Sequence, residues 1–91
     1  MKNQEKAVVT VVGKDAVGIL AKAATCCAEE NANVIEVTQS VMAEYFTMIM
    51  LIDVTEMTCK VEMLQEKIKD RLPGMEVHVM HENIFSAMHT I

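Results

Sequence analysis

The feature that most constrains the fold is the segment Val8-Val9-Thr10-Val11-Val12-Gly13-Lys14-Asp15-Ala16-Val17-Gly18-Ile19-Leu20, where a β-branched run stops at a glycine and passes straight into a helical pattern. Branched side chains favour extended backbone, so the run reads as a strand. Gly13 is expected to take a positive φ and turn the chain out of that strand, and Asp15 to cap the helix. Gly18 is expected to stand at the third helical position, where the missing Cβ lets something approach the backbone closely. The unpaired N–H groups of a first helical turn and the positive end of the helix dipole suit a carboxylate or a phosphate. The same residues also make a plain strand-to-helix connection with a capping Asp.

The rest of the chain supplies short, regularly spaced elements. A first strand is predicted over Lys6 to Gly13 and a first helix over Ala16 to Glu30, with Val17, Leu20, Ala24, Cys27 and Ala28 on its apolar face. Asn31 should end that helix in the left-handed position. Asn33 to Met42 and Tyr45 to Val54 form a hairpin about Ala43-Glu44. Thr55 or Thr58 is expected to cap a second helix, whose Val61, Leu64, Ile68 and Leu72 make a stripe and which Pro73-Gly74 terminates. A fourth strand spans Met75 to His81, and the tail from Glu82 to Ile91, with Ile84, Phe85 and Met88 at helical spacing, reads as a short amphipathic helix.

The order is βαββαβ plus a terminal helix. It implies an α+β, ferredoxin-like fold in which a four-stranded antiparallel sheet carries two helices on one face, plus the short C-terminal helix. Residues 1–91 read as one domain, with its core at about 6–81 and a helical tail at 82–91. The first and third strands look apolar on both faces, so a second chain or the tail is expected to cover the face that the helices leave open. A homo-oligomer, dimer or larger, follows.

Charge and cysteine usage exclude several roles. Eight Lys and Arg against thirteen Asp and Glu give a net charge of −5, which opposes binding to nucleic acid or to an anionic membrane. Three cysteines, two of them adjacent, with no leader-like pattern before the first strand, suggest a cytoplasmic protein with reduced thiols. Nine methionines against one Tyr and two Phe indicate an adaptable core. Met48 and Met50 share one strand face and read as packing in preference to a copper site.

The segment Gly13-Lys14-Asp15-Ala16-Val17-Gly18-Ile19-Leu20, followed by Asn33-Val34-Ile35, resembles the ACT domain, a small-ligand regulatory module of amino-acid metabolism. Val11-Val12-Gly13-Lys14-Asp15, Glu44-Tyr45-Phe46-Thr47-Met48 and Ile84-Phe85-Ser86-Ala87-Met88 are similar to a group of stand-alone ACT proteins of bacteria and archaea. The resemblance implies the same βαββαβ topology and a site shared between protomers, with the strand-to-helix junction of one copy facing the start of the second strand of another. On this chain the resemblance assigns a ligand, an amino acid in the family's manner, to Gly13, Asp15, Val17, Gly18, Ile19, Leu20, Asn33, Val34 and Ile35. Helix N–H groups from Val17 to Leu20 would hold an α-carboxylate, Asp15 an α-ammonium, and the Asn33 amide either. Val34 and Ile35 would wall the side-chain pocket. Many ligand-binding members carry Pro before the glycine, where this chain has Val17. The resemblance further implies a regulatory protein without catalysis or cofactor, with a protein target as a further partner; its alternative is an interaction module with no ligand of its own.

Catalytic and metal readings find little support in the residues. Cys26 and Cys27 lie about 100° apart on a helix, so at most one faces the sheet, and no His stands at short spacing to act as a base. Cys59, near the start of the second helix, is either a small residue of the capping region or a thiol with a pKa lowered by the dipole. His78 and His81 are three apart on a strand and point to opposite faces, which defeats joint ligation, and His89 falls on the tail.

Overall fold

The computed structural model describes residues 4–14 and 17–89, residue 89 by its backbone alone. Its elements are β1 (Lys6–Gly13), α1 (Ile19–Glu29), β2 (Asn33–Met42), β3 (Tyr45–Asp53), α2 (Val61–Arg71), β4 (Glu76–His81) and α3 (Glu82–His89). They form a four-stranded antiparallel sheet in the order β2-β3-β1-β4. This is the ferredoxin-like arrangement expected from the element order. Alternation along the strands sends Ala7, Val9, Val11, Met48, Met50, Ile52, Val77 and Val79 to one face, where they meet Ile19, Ala23, Cys27, Leu64 and Ile68 from the helices. Full burial of Met48, Met50, Ile52, Leu64 and Ile68 contributes roughly 1.5–3 kcal/mol for each side chain.

The first crossover departs from expectation in three ways. Gly18 is not inside the helix: it is the N-cap, with φ +71°, and α1 starts at Ile19. A left-handed residue cannot continue a right-handed helix, so the helix begins after it. The N-cap assigned to Asp15 is thereby corrected, and Asp15 and Ala16 themselves lie outside the described residues. Gly13 also stays in the strand, paired with Phe46, and is not among the glycines at positive φ. Its lack of a side chain has another use, since a Cβ there would overlap the Met75 thioether.

The buried stripe of α1 is rotated by one position from the expected one. Ile19, Ala23, Cys26 and Cys27 are buried, whereas Leu20 and Ala28 are exposed and Val17, ahead of the helix, is 82 % exposed. Ala and Cys occupy both possible stripes, so periodicity alone does not separate them, and the larger Ile19 anchors the helix. Both adjacent cysteines are fully buried because α1 packs on the sheet and on α2 together. At its other end α1 closes as expected. Asn31 takes φ 66°, its N–H reaches Ala28 O at 3.1 Å, and Ala32 N–H reaches Cys27 O at 2.9 Å, the paired bonds of a Schellman ending.

Neither Thr55 nor Thr58 caps α2. The N-cap is Lys60, without a side-chain bond, because both hydroxyls are committed elsewhere. Thr55 Oγ1 accepts the Glu5 N–H at 2.8 Å, and the Thr58 hydroxyl donates to the Glu30 carboxylate at 3.2 Å. Lys67 pairs with the same Glu30 carboxylate and Arg71 pairs with Glu29, so two ion pairs tie α2 to the end of α1.

The outer face of the sheet is less apolar than the strands suggest. Thr10, Thr47, Thr38, Glu36 and His78 share it with Val8, Ile49 and Leu51, and α3 folds back over β1 and β4, leaving Val8 only 3 % exposed. Part of the predicted tail helix thus covers part of that face.

Two predictions follow from the backbone and the charge pairs. Ala43, first of the two hairpin residues, holds φ 56°, a conformation glycine adopts without penalty, so Ala43→Gly is expected to stabilise the fold by about 1 kcal/mol. Gly18→Val, at φ 71°, is expected to destabilise it by roughly 1–3 kcal/mol. Urea unfolding of both variants checks the pair of signs. The Glu30 carboxyl is held below its ordinary 4.5, chiefly by the Lys67 hydrogen bond and further by those from Cys59 and Thr58, against an opposing effect of burial. A depressed folded value means that this stability is present above about pH 4.5 and is lost as pH falls through the folded value. Glu30→Gln should flatten the acid limb of the urea midpoint plotted against pH; parallel curves for the two proteins exclude Glu30 from it.

Candidate ligand site at the first crossover

The candidate site is built where β1 ends and α1 begins. Gly18 has no side chain, so among the described residues no side-chain bond caps the first turn of α1, and the positive end of the dipole is directed outward. Ile19 turns into the core at 5 % exposure, while Val17 and Leu20 face solvent at 82 % and 36 %. Beside this turn lies a hollow of about 220 Å3 formed by Val17, Ile19 and Lys22 of the crossover and by Arg71, Leu72, Pro73 and Met75 of the α2–β4 connection. Lys22 has no ion pair among the described residues, and Arg71 is shared with Glu29. The surroundings are cationic in a chain that is acidic overall. They favour a carboxylate or phosphate.

Lys22, Arg71 and Met75 were not singled out from the sequence. Lys22 stands four residues after Gly18, one turn along the same helix face, and that spacing was a usable signal. Arg71 and Met75 arrive from a distant segment through the packing of α2 on α1, which no local pattern reveals.

The remaining residues lie at the other end of the sheet. Asn33 pairs with Asp53, which pairs with Lys6 at the start of β1, whereas Gly13 pairs with Phe46 at its end. Seven residues of strand separate the two ends, roughly 23 Å. Within one protomer Asn33 therefore does not meet Gly13 or Gly18. Asn33 is exposed, Val34 is turned toward the protomer's own core opposite Ile52, and Ile35, 42 % exposed, is the unpaired residue of a β-bulge between Val34 and Glu36. Val34 and Ile35 therefore do not present a single common wall.

The thiols are unsuited to nucleophilic work. Burial pushes the Cys27 thiol up to about 12 and raises Cys26, and Cys59 is raised by burial and by its hydrogen bond to Glu30. A dipole-lowered Cys59 is thus corrected: burial, together with the Glu30 carboxylate beside it, outweighs the helix end. Iodoacetamide at neutral pH is expected to label all three cysteines slowly in the folded protein and quickly after denaturation. Rapid labelling of Cys59 in the native state, read by mass spectrometry, contradicts this assignment.

An antiparallel sheet backed by two helices, with an uncapped helix N-terminus at its first crossover, defines a class of small α+β domains. The ACT domain model matches residues 5–82. A UPF0237 protein of Clostridium perfringens is 41% identical over 87 residues, covering 93% of this chain and 98% of the relative. One from Methanococcus maripaludis is 39% identical over 90 residues, covering 96% and 99%. The solved ACT domain protein from Streptococcus pneumoniae superposes with a TM-score of 0.75 at 31% identity, over 96% of this chain and 100% of that one. The chain belongs to the ACT domain family, within the UPF0237 group of stand-alone members.

Proposed function

We propose that the protein is a non-catalytic regulatory module that binds an amino acid or a similar small ligand at a site completed between two copies of the chain. The observation that carries this reading is the uncapped first turn of α1 behind the left-handed Gly18, flanked by Lys22. It offers backbone donors and positive potential to an α-carboxylate. Asp15 is the proposed partner of the α-ammonium.

Sheet topology supports the shared site. β2 is an edge strand, so its outward N–H and C=O groups are open to a second chain. Antiparallel pairing of β2 with its copy about a two-fold axis brings the Asn33 end of one strand beside the Met42 end of the other. Met42 lies at the same end of the sheet as Gly13. Such a dimer carries the copy's Asn33 to the end of the sheet that holds Gly13, leaving three strand spacings, about 14 Å, between it and β1.

The second reading, an interaction module without a ligand, is favoured by apolar exposure at the hairpin. Val41, Met42 and Tyr45 are 69 %, 76 % and 48 % exposed there, a surface suited to another protein. A thermal-shift screen of the common amino acids separates the two, since a ligand that binds only the native state raises the melting temperature. For a hit, Asn33→Ala is expected to weaken binding by roughly 1–3 kcal/mol. Asp15→Asn should weaken it while leaving the fold intact, because it removes the charge offered to an ammonium. Gly18→Val is unsuitable for this purpose, since its backbone strain acts on the fold itself. No hit, or calorimetric affinities unchanged in both variants, replaces the sensor by the interaction module.

A further inference from the structure

The outer face of the sheet holds a second concavity, on the side away from α1 and α2. α3 crosses β1 and β4 and leaves a groove of about 280 Å3 between itself and β2. Val8, Ile49 and Leu51 form its floor. Glu36 and Thr38 of β2 line one side, and Glu82, Phe85 and Ser86 line the other, at spacings that share one face of α3. Register puts Glu36 opposite Leu51, Leu51 opposite Val8 and Val8 opposite Met80, two residues before Glu82. The two carboxylates therefore flank one row of the sheet. The next outer row carries Thr38, Ile49, Thr10 and His78, so Ile49 extends the apolar floor and hydroxyl groups flank it. Neither Glu36 nor Glu82 has an ion pair among the described residues.

We infer that this groove binds a small amphipathic organic cation, a monoamine with an apolar body and no carboxylate. The apolar floor gains by losing water, and the two carboxylates at one end supply the complementary charge for an ammonium group. A ligand bearing its own carboxylate is repelled there by both. The volume stands just below the range of about 300–1,000 Å3 for small-molecule sites, which suits a single ring or a short alkyl chain. The inference is independent of the amino-acid site, which lies on the helical side and demands the opposite charge.

The test is an amide NMR titration of the whole chain with 2-phenylethylamine, with 2-phenylethanol as the neutral match and phenylalanine as the zwitterion. The amine is expected to give saturable shifts at Glu36, Thr38, Ile49, Leu51 and along α3 at millimolar concentration. Affinity should fall at least about tenfold for 2-phenylethanol, and likewise for the amine with the double variant Glu36→Gln and Glu82→Gln, whose dispersed spectrum reports an intact fold. No saturable shift with the amine, equal affinity in the double variant, or phenylalanine binding this groove as tightly overturns the inference. Shifts of the same residues that grow with protein concentration in the absence of amine overturn it too, since they mark a second copy as the occupant.

Discussion

Every other element is placed by the pairing of β1 on both its edges. Hydrogen-bonded to β3 on one side and β4 on the other, β1 must be followed by a crossover that leaves the sheet and returns beyond β3, and the second crossover must bring β4 to its free edge. Both helices then fall on the face where Ala7, Val9 and Val11 are fully buried. The end of β1 fixes where α1 begins, and so where its exposed N–H groups point. Met75, packed against Gly13, brings the start of β4 and the end of α2 to the same corner. The candidate site is a consequence of that corner.

The two faces of the sheet answer different demands. On the helical face, methionine, isoleucine and valine close a core with no buried polar or charged side chain among the described residues, and ion pairs between α1 and α2 stand at its rim. The outer face mixes apolar and hydroxyl-bearing residues and, among the described residues, has only α3 over it. A surface that is partly apolar, partly polar and concave is poorly suited to a dry core and better suited to a small partner. The chain thus presents a cationic corner on one side and an acid-rimmed groove on the other, despite its net charge of −5.

Much of the fold was legible in the residues. A β-branched run marked β1 and an apolar run marked β3, and Asn31 announced the left-handed end of α1. Asn33 and Met42 bounded β2 as expected. The misreadings have local physical causes. Gly18 can serve as a helical residue or as a left-handed cap, and only the path of the chain between β1 and the core selects the second. Thr55 and Thr58 carry the side chains of good caps, yet their hydroxyls are claimed by Glu5 and Glu30 from distant segments. Small residues on two adjacent stripes of α1 left its rotation open.

By itself the sequence determined the kinds of element, their order and hence the topology, because periodicity, β-branching and turn chemistry act over a few neighbouring residues. It also marked the first crossover as the place to look for a ligand. The tertiary structure decided which face of α1 is buried, how Lys22 and Arg71 come together beside its first turn, and that Asn33 lies at the far end of the sheet from Gly13. Those outcomes depend on contacts between segments tens of residues apart, where the packing of whole elements, and not the preference of any one residue, sets the position.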